Sequence, residues 1–285
     1  MKGHGCEIVE KKMNSKHRKT VQPDIHYIIN ELKQEKIFLK EINKYLSKKE
    51  VEVEEIMEML SHELRTPMVP ITVHTDMLLG GHFGKLNEKQ RKRLKVVSSS
   101  IKYMHRFISN LIDVEKFEIG EVFLDKKQHD LNEIILDTIS SMKDEKNELD
   151  EKLHYFQKTK TSDTLFPIPV FCDSRRISQV LINLIENSLD AIPKDKGQIE
   201  INVEDGEVNT IRVTVKDNGT GIPQDKLSHI FSKFYQVDMS RTREKGGAGL
   251  GLCLCKKIIE SHDGKIWATS TVGRGTVVTF TLPKD

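Results

Sequence analysis

The 285-residue chain has no apolar run near the roughly 20 residues that a bilayer-spanning helix needs, and its first residues carry no apolar signal region. Both absences lead us to expect a soluble, cytoplasmic protein without direct membrane insertion. Cysteine is scarce. Cys6, Cys172, Cys253 and Cys255 fall at no zinc spacing, and Cys253 and Cys255, two apart in an expected helix, point to different faces. Buried reduced thiols are therefore expected in place of a metal site or a local disulfide. Charge of one sign is lacking as well. Forty-five basic residues face 43 acidic ones, a net +2, so no global field points to nucleic acid or a membrane surface. The GxxxxGK[ST] phosphate loop is also missing, which disfavours a P-loop ATPase.

What the chain does have begins with a helical repeat. Leu32, Leu39, Leu46, Val53 and Leu60 recur every seven residues, with Ile42 and Ile56 between them. That spacing is the seam of a coiled coil or a helix bundle. At about 100° per residue, His62 lies well round from Leu60, so its ring is expected to face water, where an imidazole titrates near neutrality and can act as base, nucleophile or phosphate acceptor. Glu63 is adjacent and Thr66 is one turn on along the same face. Pro67 has no amide to donate and should kink the helix.

Residues 1–24 are polar, lysine-rich and without periodicity, and read as a disordered tail. A long helix is expected from about Asp24 to Leu79, its part over 25–51 serving as a coiled-coil or signalling helix. It ends at the glycine-containing loop Gly80–Leu86, and Asn87 should cap a second helix. That helix carries Leu94, Val97, Ile101, Met104, Ile108 and Leu111 at spacings of three and four. Two antiparallel helices make half a core. A second copy, giving a four-helix bundle, or a helix of the following domain would complete it.

Beyond about residue 120, strand-like segments alternate with helices. Strands are expected near 121–128, 152–158, 168–172, 198–204, 209–216, 264–270 and 275–282. Helices are expected from Asp130 (capping box with Glu133) to about Glu148, from Ser174 to Ile192, and from Gly249 to Ser261. This is an α+β sandwich, a mixed sheet covered on one face by helices.

Three stretches of this second part suit a nucleotide. In the helix from Ser174, Ile177, Leu181 and Leu184 face the core, while Arg176, Asn183, Asn187 and Asp190 fall on the other side with Glu186 beside them. Stacked carboxamides suit Mg²⁺ and phosphate, although a solvated helix face would look the same. Asp217-Asn218-Gly219-Thr220-Gly221 ends a strand, and its carboxylate could accept from an adenine amino group; a plain tight turn fits equally well. Gly246-Gly247-Ala248-Gly249-Leu250-Gly251 leads into a helix, whose free amides favour phosphate.

The run Ser61-His62-Glu63-Leu64-Arg65-Thr66-Pro67 resembles the phosphoacceptor motif of two-component sensor histidine kinases. The three downstream stretches, in their order and spacing, resemble the Bergerat ATP-binding fold that these kinases share with gyrase, Hsp90 and MutL-type ATPases. Together the likeness covers about residues 52–283. It implies a dimerisation and phosphotransfer domain over 52–119, whose bundle is a homodimer, and an ATP-binding catalytic domain over 120–285. It implies His62 as acceptor, with Glu63 orienting and deprotonating it, and Asn187 as the magnesium ligand with Asn183 nearby. Asp217 would read adenine, with Gly219 and Gly221 lining the base. Gly247, Gly249, Leu250 and Gly251 would serve the phosphates, and Gly273-Arg274-Gly275-Thr276 would be the turn before the last strand.

The stretch Ile230-Phe231-Ser232-Lys233-Phe234-Tyr235 resembles the aromatic motif that anchors a lid over ATP, the lid itself being 238–245. The likeness further implies a response regulator receiver domain as partner, and an ExxT pattern in Glu63 and Thr66 linked to phosphatase action on it. Two departures stand out. Asp190 occupies a place where many such kinases carry a basic residue, so Lys233, Arg241 or Arg243 would supply the phosphate-side charge. Asn183 stands where gyrase-type hydrolases carry a glutamate general base, which disfavours the competing reading, an ATP-driven conformational clamp that never phosphorylates itself. A non-catalytic scaffold would have no need of Asn187, Asp217 and the glycines.

Overall fold

A computed structural model describes residues 5–145, 149, 151–157, 167–207, 209–237 and 248–284. Within its helices and strands the side chains of 5–26, 50, 52–58, 60–62, 144–145 and 157 are outside the description. The chain divides into two compact units, Met1–Met57 and Glu58–Asp285.

Helix α1 runs from Gly5 to Leu79. It starts well before the expected residue 24, because residues 5–22 hold many good helix formers and no proline precedes Pro23. It is also uninterrupted at Pro67. Neither Pro67 nor Pro70 has an amide for the Glu63 or Thr66 carbonyl one turn back, yet both lie within the helix. In the first unit Leu32, Leu39 and Leu46 of the heptad seam are all exposed. The expected outward turn of the His62 ring, and the Val53 and Leu60 side chains, lie outside the described residues.

Helix α2 spans Glu88–Glu118 and begins as expected. Asn87 accepts from the Gln90 amide while the Gln90 side chain accepts from the Asn87 amide, each at 2.9 Å. Met68 of α1 packs with Ile101 and Ile108 of α2, joined by Phe107 and Ile112. Val97 and Met104 of the expected seam stay exposed. The boundary near residue 120 is a change of secondary structure but not a break in packing. Val114 of α2 is fully buried in the same core as Leu131 and Ile177, and Phe117 packs against it.

The rest is the α+β sandwich. Strand β1 (Lys127–Asp130) pairs antiparallel with β3 (Pro169–Cys172), and starts later than expected. Asp130 accepts from the Asn132 and Ile168 amides, which fixes the start of α3 (Leu131–Glu145). Strands β2 (Leu153–Gln157), β4 (Ile199–Asp205), β5 (Thr210–Asp217), β6 (Ile266–Thr271) and β7 (Gly275–Pro283) form one mixed sheet in the order β2-β4-β5-β7-β6. Among the described residues β2 and β4 pair in parallel and the other neighbours antiparallel. Helices α3, α4 (Ser174–Ala191) and α5 (Gly251–Ser261) lie on one face.

Period-two alternation sets that face. Ile199, Ile201 and Val203 of β4 and Ile211, Val213 and Val215 of β5 are buried against Leu181, Leu184, Leu254 and Ile258. Asp217 falls next in the same phase, opposite Ile199. A carboxylate is thereby carried to the end of an otherwise apolar row.

Cys172, Cys253 and Cys255 are buried free thiols, and burial pushes Cys172 up to about 11 and Cys255 to about 12. Burial holds these thiols protonated, and the Cys6 side chain lies outside the described residues. Among the described residues no helix is long and apolar enough to cross a membrane, and no cluster of His, Cys, Asp and Glu could hold a metal.

Candidate functional site

The site is built where the C-terminal half of α4, the end of β5 and the start of α5 meet. Asp173 opens α4 by accepting from the Arg175 and Arg176 amides. Its own amide donates to His262 Nε2 at 3.0 Å, tying the start of α4 to the end of α5.

Asp217 is 6 % exposed. Its Oδ1 accepts from the Gly219 amide at 2.8 Å and the Thr276 amide at 3.2 Å, whereas Oδ2 meets the Ser188 hydroxyl at 3.5 Å, the outer limit of a hydrogen bond. Burial raises its pKa, and the two amides and Ser188 work against that rise. One oxygen is thus fully used in holding the carboxylate still, and the other is left largely for a ligand donor. The turn behind it is pinned on both sides. Thr220 donates to the Ala191 carbonyl, Gly273 donates to Thr220, and Ile222 donates to Ser270 Oγ.

Gly221 (φ +68°) and Gly275 (φ +105°) are required by this pinning. A Cβ would lie 2.1 Å from the Thr271 carbonyl oxygen in the first case and 1.9 Å from that of Asp217 in the second. Gly219 is similarly tight against Ala191. Gly219 and Gly221, expected to line the base, are therefore fixed first by contacts within the turn. Thr276 acts through its backbone amide on Asp217, while its hydroxyl pairs with Ser270. Ser188 and Ser270 carried no sequence signal of their own. Ser188 could have been found by extending the buried phase of α4 to its last turn.

Asn187 is exposed, as its place on α4 suggested, but Asn183 is 7 % exposed and not on an open stripe. The reason is α5, which packs along that flank of α4. A Cβ on Gly251 would come 3.3 Å from Asn183 Oδ1, while the buried Cys255 thiol of the same helix donates to the Val180 carbonyl at 3.8 Å. Asn183 Nδ2 is buried and, among the described residues, without a hydrogen-bond partner. An orphaned buried donor costs about 1–3 kcal/mol, and here it sits beside the first turn of a helix, where anions are favoured.

Gly249 takes φ +69°, and its carbonyl accepts from the Phe234 amide at 2.9 Å. Leu250 is buried beneath it. Gly247, Arg241, Arg243 and the expected lid lie outside the described residues. Lys233, expected to supply phosphate-side charge, is seated on α2 in this structure. Its ammonium donates to Glu115 Oε1 at 2.6 Å and Glu118 Oε2 at 3.1 Å, both on α2. The sequence pattern could not show this pairing, because it joins residues more than a hundred positions apart. On the hairpin, Glu63 and Thr66 are exposed on α1.

A buried, half-satisfied carboxylate at a strand end, an orphaned amide donor beside a glycine-led helix, and a helical hairpin carrying SHELRTP now stand together. Residues 52–120 match the His Kinase A (phospho-acceptor) domain, and residues 172–285 match the histidine kinase-, DNA gyrase B- and HSP90-like ATPase domain. The chain belongs to the sensor histidine kinases.

As a histidine kinase it is 34 % identical over 235 residues to the sensor protein kinase WalK of Staphylococcus saprophyticus and to that of Staphylococcus aureus. The match takes in 82 % of this chain in each case, but 37 % of the first relative and 54 % of the second, so the chain spans between a third and just over half of these relatives. Among solved structures it is similar to histidine kinase ThkA in complex with response regulator protein TrrA (28 % identity, TM-score 0.53, 81 % of this chain and 61 % of that one). Full-length ShkA in complex with AMPPNP shares the fold at 20 % identity and a TM-score of 0.60, over 80 % of this chain and 45 % of that one.

Proposed function

We propose that this kinase binds ATP between α4, the Asp217 turn and the start of α5, and transfers the γ-phosphoryl group to His62. An aspartate of a response regulator receiver domain then receives it. The observation that carries the nucleotide reading is Asp217, held by two amides through one oxygen with the other available to an adenine amino group. The Asn183 donor beside Gly251 supports phosphate on the other side of the site. Asn187, exposed on α4, supplies an oxygen of the kind Mg²⁺ takes, and the bound ion would neutralise phosphate charge.

In the transfer, a ring nitrogen of His62 forms a bond to the γ-phosphorus as the bond to the ADP oxygen breaks. Glu63 orients the imidazole and takes its proton. Asn183 is neutral and cannot serve as the general base that hydrolysis needs, so water is poorly activated and the imidazole competes well. Two copies joined through the hairpin would complete the bundle, and the reaction would run in the cytoplasm. The partnership with a receiver domain draws on ThkA, whose solved complex contains a response regulator.

Incubation with γ-labelled ATP and Mg²⁺ tests this. Acid-labile label is expected on the wild type and on neither His62→Gln nor Asn187→Ala. Free phosphate without label would favour the conformational clamp. Thr66, one turn from His62, is proposed to orient water for dephosphorylation of the receiver; Thr66→Ala retaining full phosphatase activity would remove that role.

A further inference from the structure

Helix α2 does more than complete the hairpin, because its last four turns form a charged seat for the nucleotide domain. Asp113 accepts from Arg176 at 3.0 Å and from Gln179 at 2.9 Å, and the Arg176 guanidinium lies over the Phe117 ring. Arg106 pairs with Glu186, the neighbour of Asn187. Glu115 and Glu118 hold Lys233, with Lys257 at 3.8 Å from Glu118. Every one of these contacts joins α2 to α4, α5 or the aromatic stretch.

Lys233 differs from the others in what it is attached to. The next residue, Phe234, sits at φ +61°, a conformation that costs a non-glycine residue of order 1 kcal/mol or more and persists only where its surroundings impose it. What imposes it is the glycine segment ahead of α5. Phe234 donates to Gly249, and a Cβ at Gly249 would lie 2.6 Å from the Tyr235 carbonyl oxygen. Lys233, held by α2, and the phosphate-side glycines are therefore ends of one tightly packed unit. A triphosphate is also the strongest competitor for a lysine ammonium that two carboxylates now share.

We infer that Lys233 is a shared cation, seated on Glu115 and Glu118 when the nucleotide site is empty and drawn towards the phosphates of the nucleotide when it is filled. Nucleotide occupancy and docking on α2 then oppose one another through this side chain. Such a coupling is reciprocal, so weakening the seat must tighten nucleotide binding by the same factor that nucleotide weakens the seat. The inference rests on the ATP-site reading above. It also accounts for the missing basic residue at Asp190, since the phosphate-side cation is stored on another element of the chain.

Titration calorimetry on the full chain, with a non-hydrolysable ATP analogue and Mg²⁺, tests it. Glu115→Gln with Glu118→Gln should tighten binding about fivefold, and Lys233→Gln should weaken it by a similar factor. In the Lys233→Gln background the two carboxylate changes should have no effect. Hydrogen exchange of the amides near 230–236 should rise in the carboxylate variant without nucleotide. If the carboxylate changes leave affinity unaltered, or tighten it equally without Lys233, the shared-cation role is overturned while the site reading stands. If the wild type binds no analogue, the site reading falls and this inference with it.

Discussion

The hairpin of α1 and α2 and the nucleotide domain are made of equally helical or strand-like sequence, yet they solve burial in opposite ways. The nucleotide domain owns a complete core, with Leu131, Ile177, Leu181, Leu254 and Phe280 all at 0 % exposure. The hairpin buries Met68, Ile101 and Ile108 but leaves Leu64, Val69, Ile71, Val97 and Met104 between 42 % and 52 % exposed. One region is closed by its own chain, and the other presents an apolar face that a further surface must cover. The contrast separates where stability resides from where association resides.

The largest way to test that contrast is to damage the closed core. Phe280→Ala removes a fully buried ring from β7, and should cost about 3–5 kcal/mol. Denaturant unfolding followed through the single tryptophan, Trp267 on the neighbouring β6, should show the midpoint fall. A loss under 1 kcal/mol would mean that the sheet and its helices are far less tightly packed than they stand.

The second test acts on the open face. Val97→Glu puts a charge on an exposed apolar position of α2. In one copy alone it should change the nucleotide domain's unfolding midpoint little. Against a second copy it would bury a charge and weaken association by at least about tenfold. Sedimentation equilibrium reads this directly. Unchanged association would assign the exposed face to some other surface than a second copy.

What could be read in advance follows the same division. Apart from the first, which was expected at 121–128 and stands at Lys127–Asp130, the strands, the three helices on the sheet and the Asn87 cap were legible because period-two alternation, period-3.6 burial and capping residues are local signals. Asp217 was legible because it ends an alternating strand in a glycine turn. Asn183 was misread because its side of α4 is apolar-poor in sequence, and only the packing of α5 makes it an inside face. The seat of Lys233 on α2 was out of view for a related reason. A lysine three residues into an aromatic stretch gives no hint that Glu115 and Glu118 of an earlier helix will reach it. The end of α2 was assigned to the hairpin by its heptads, whereas Val114 and Phe117 belong to the nucleotide domain's core. Long-range pairing was the information that local patterns lacked.

The smallest test concerns a buried histidine of the closed region. His262 is 1 % exposed, its Nδ1 donating to the Ile258 carbonyl at 2.8 Å and its Nε2 accepting from the Asp173 amide at 3.0 Å. That pattern needs a neutral ring, since a protonated Nε2 cannot accept. Burial pushes the pKa below the ordinary histidine value of about 6.5, against the pull of the Ile258 carbonyl and with the help of Lys126. The unfolded chain therefore binds the proton first as pH falls. Stability is fully present above about pH 6.5 and declines below it, by at most about 1.4 kcal/mol per pH unit, until the folded-state pKa is reached. Unfolding free energies of the wild type and His262→Gln, measured between pH 7.5 and roughly 5 (the window that histidine titration sets), separate this from general acid sensitivity. The variant should be less stable throughout but should lose part of the slope, because glutamine can accept from the Asp173 amide without titrating. Equal slopes would show that the acid response arises at other groups, and that the join between α4 and α5 tolerates a charged ring.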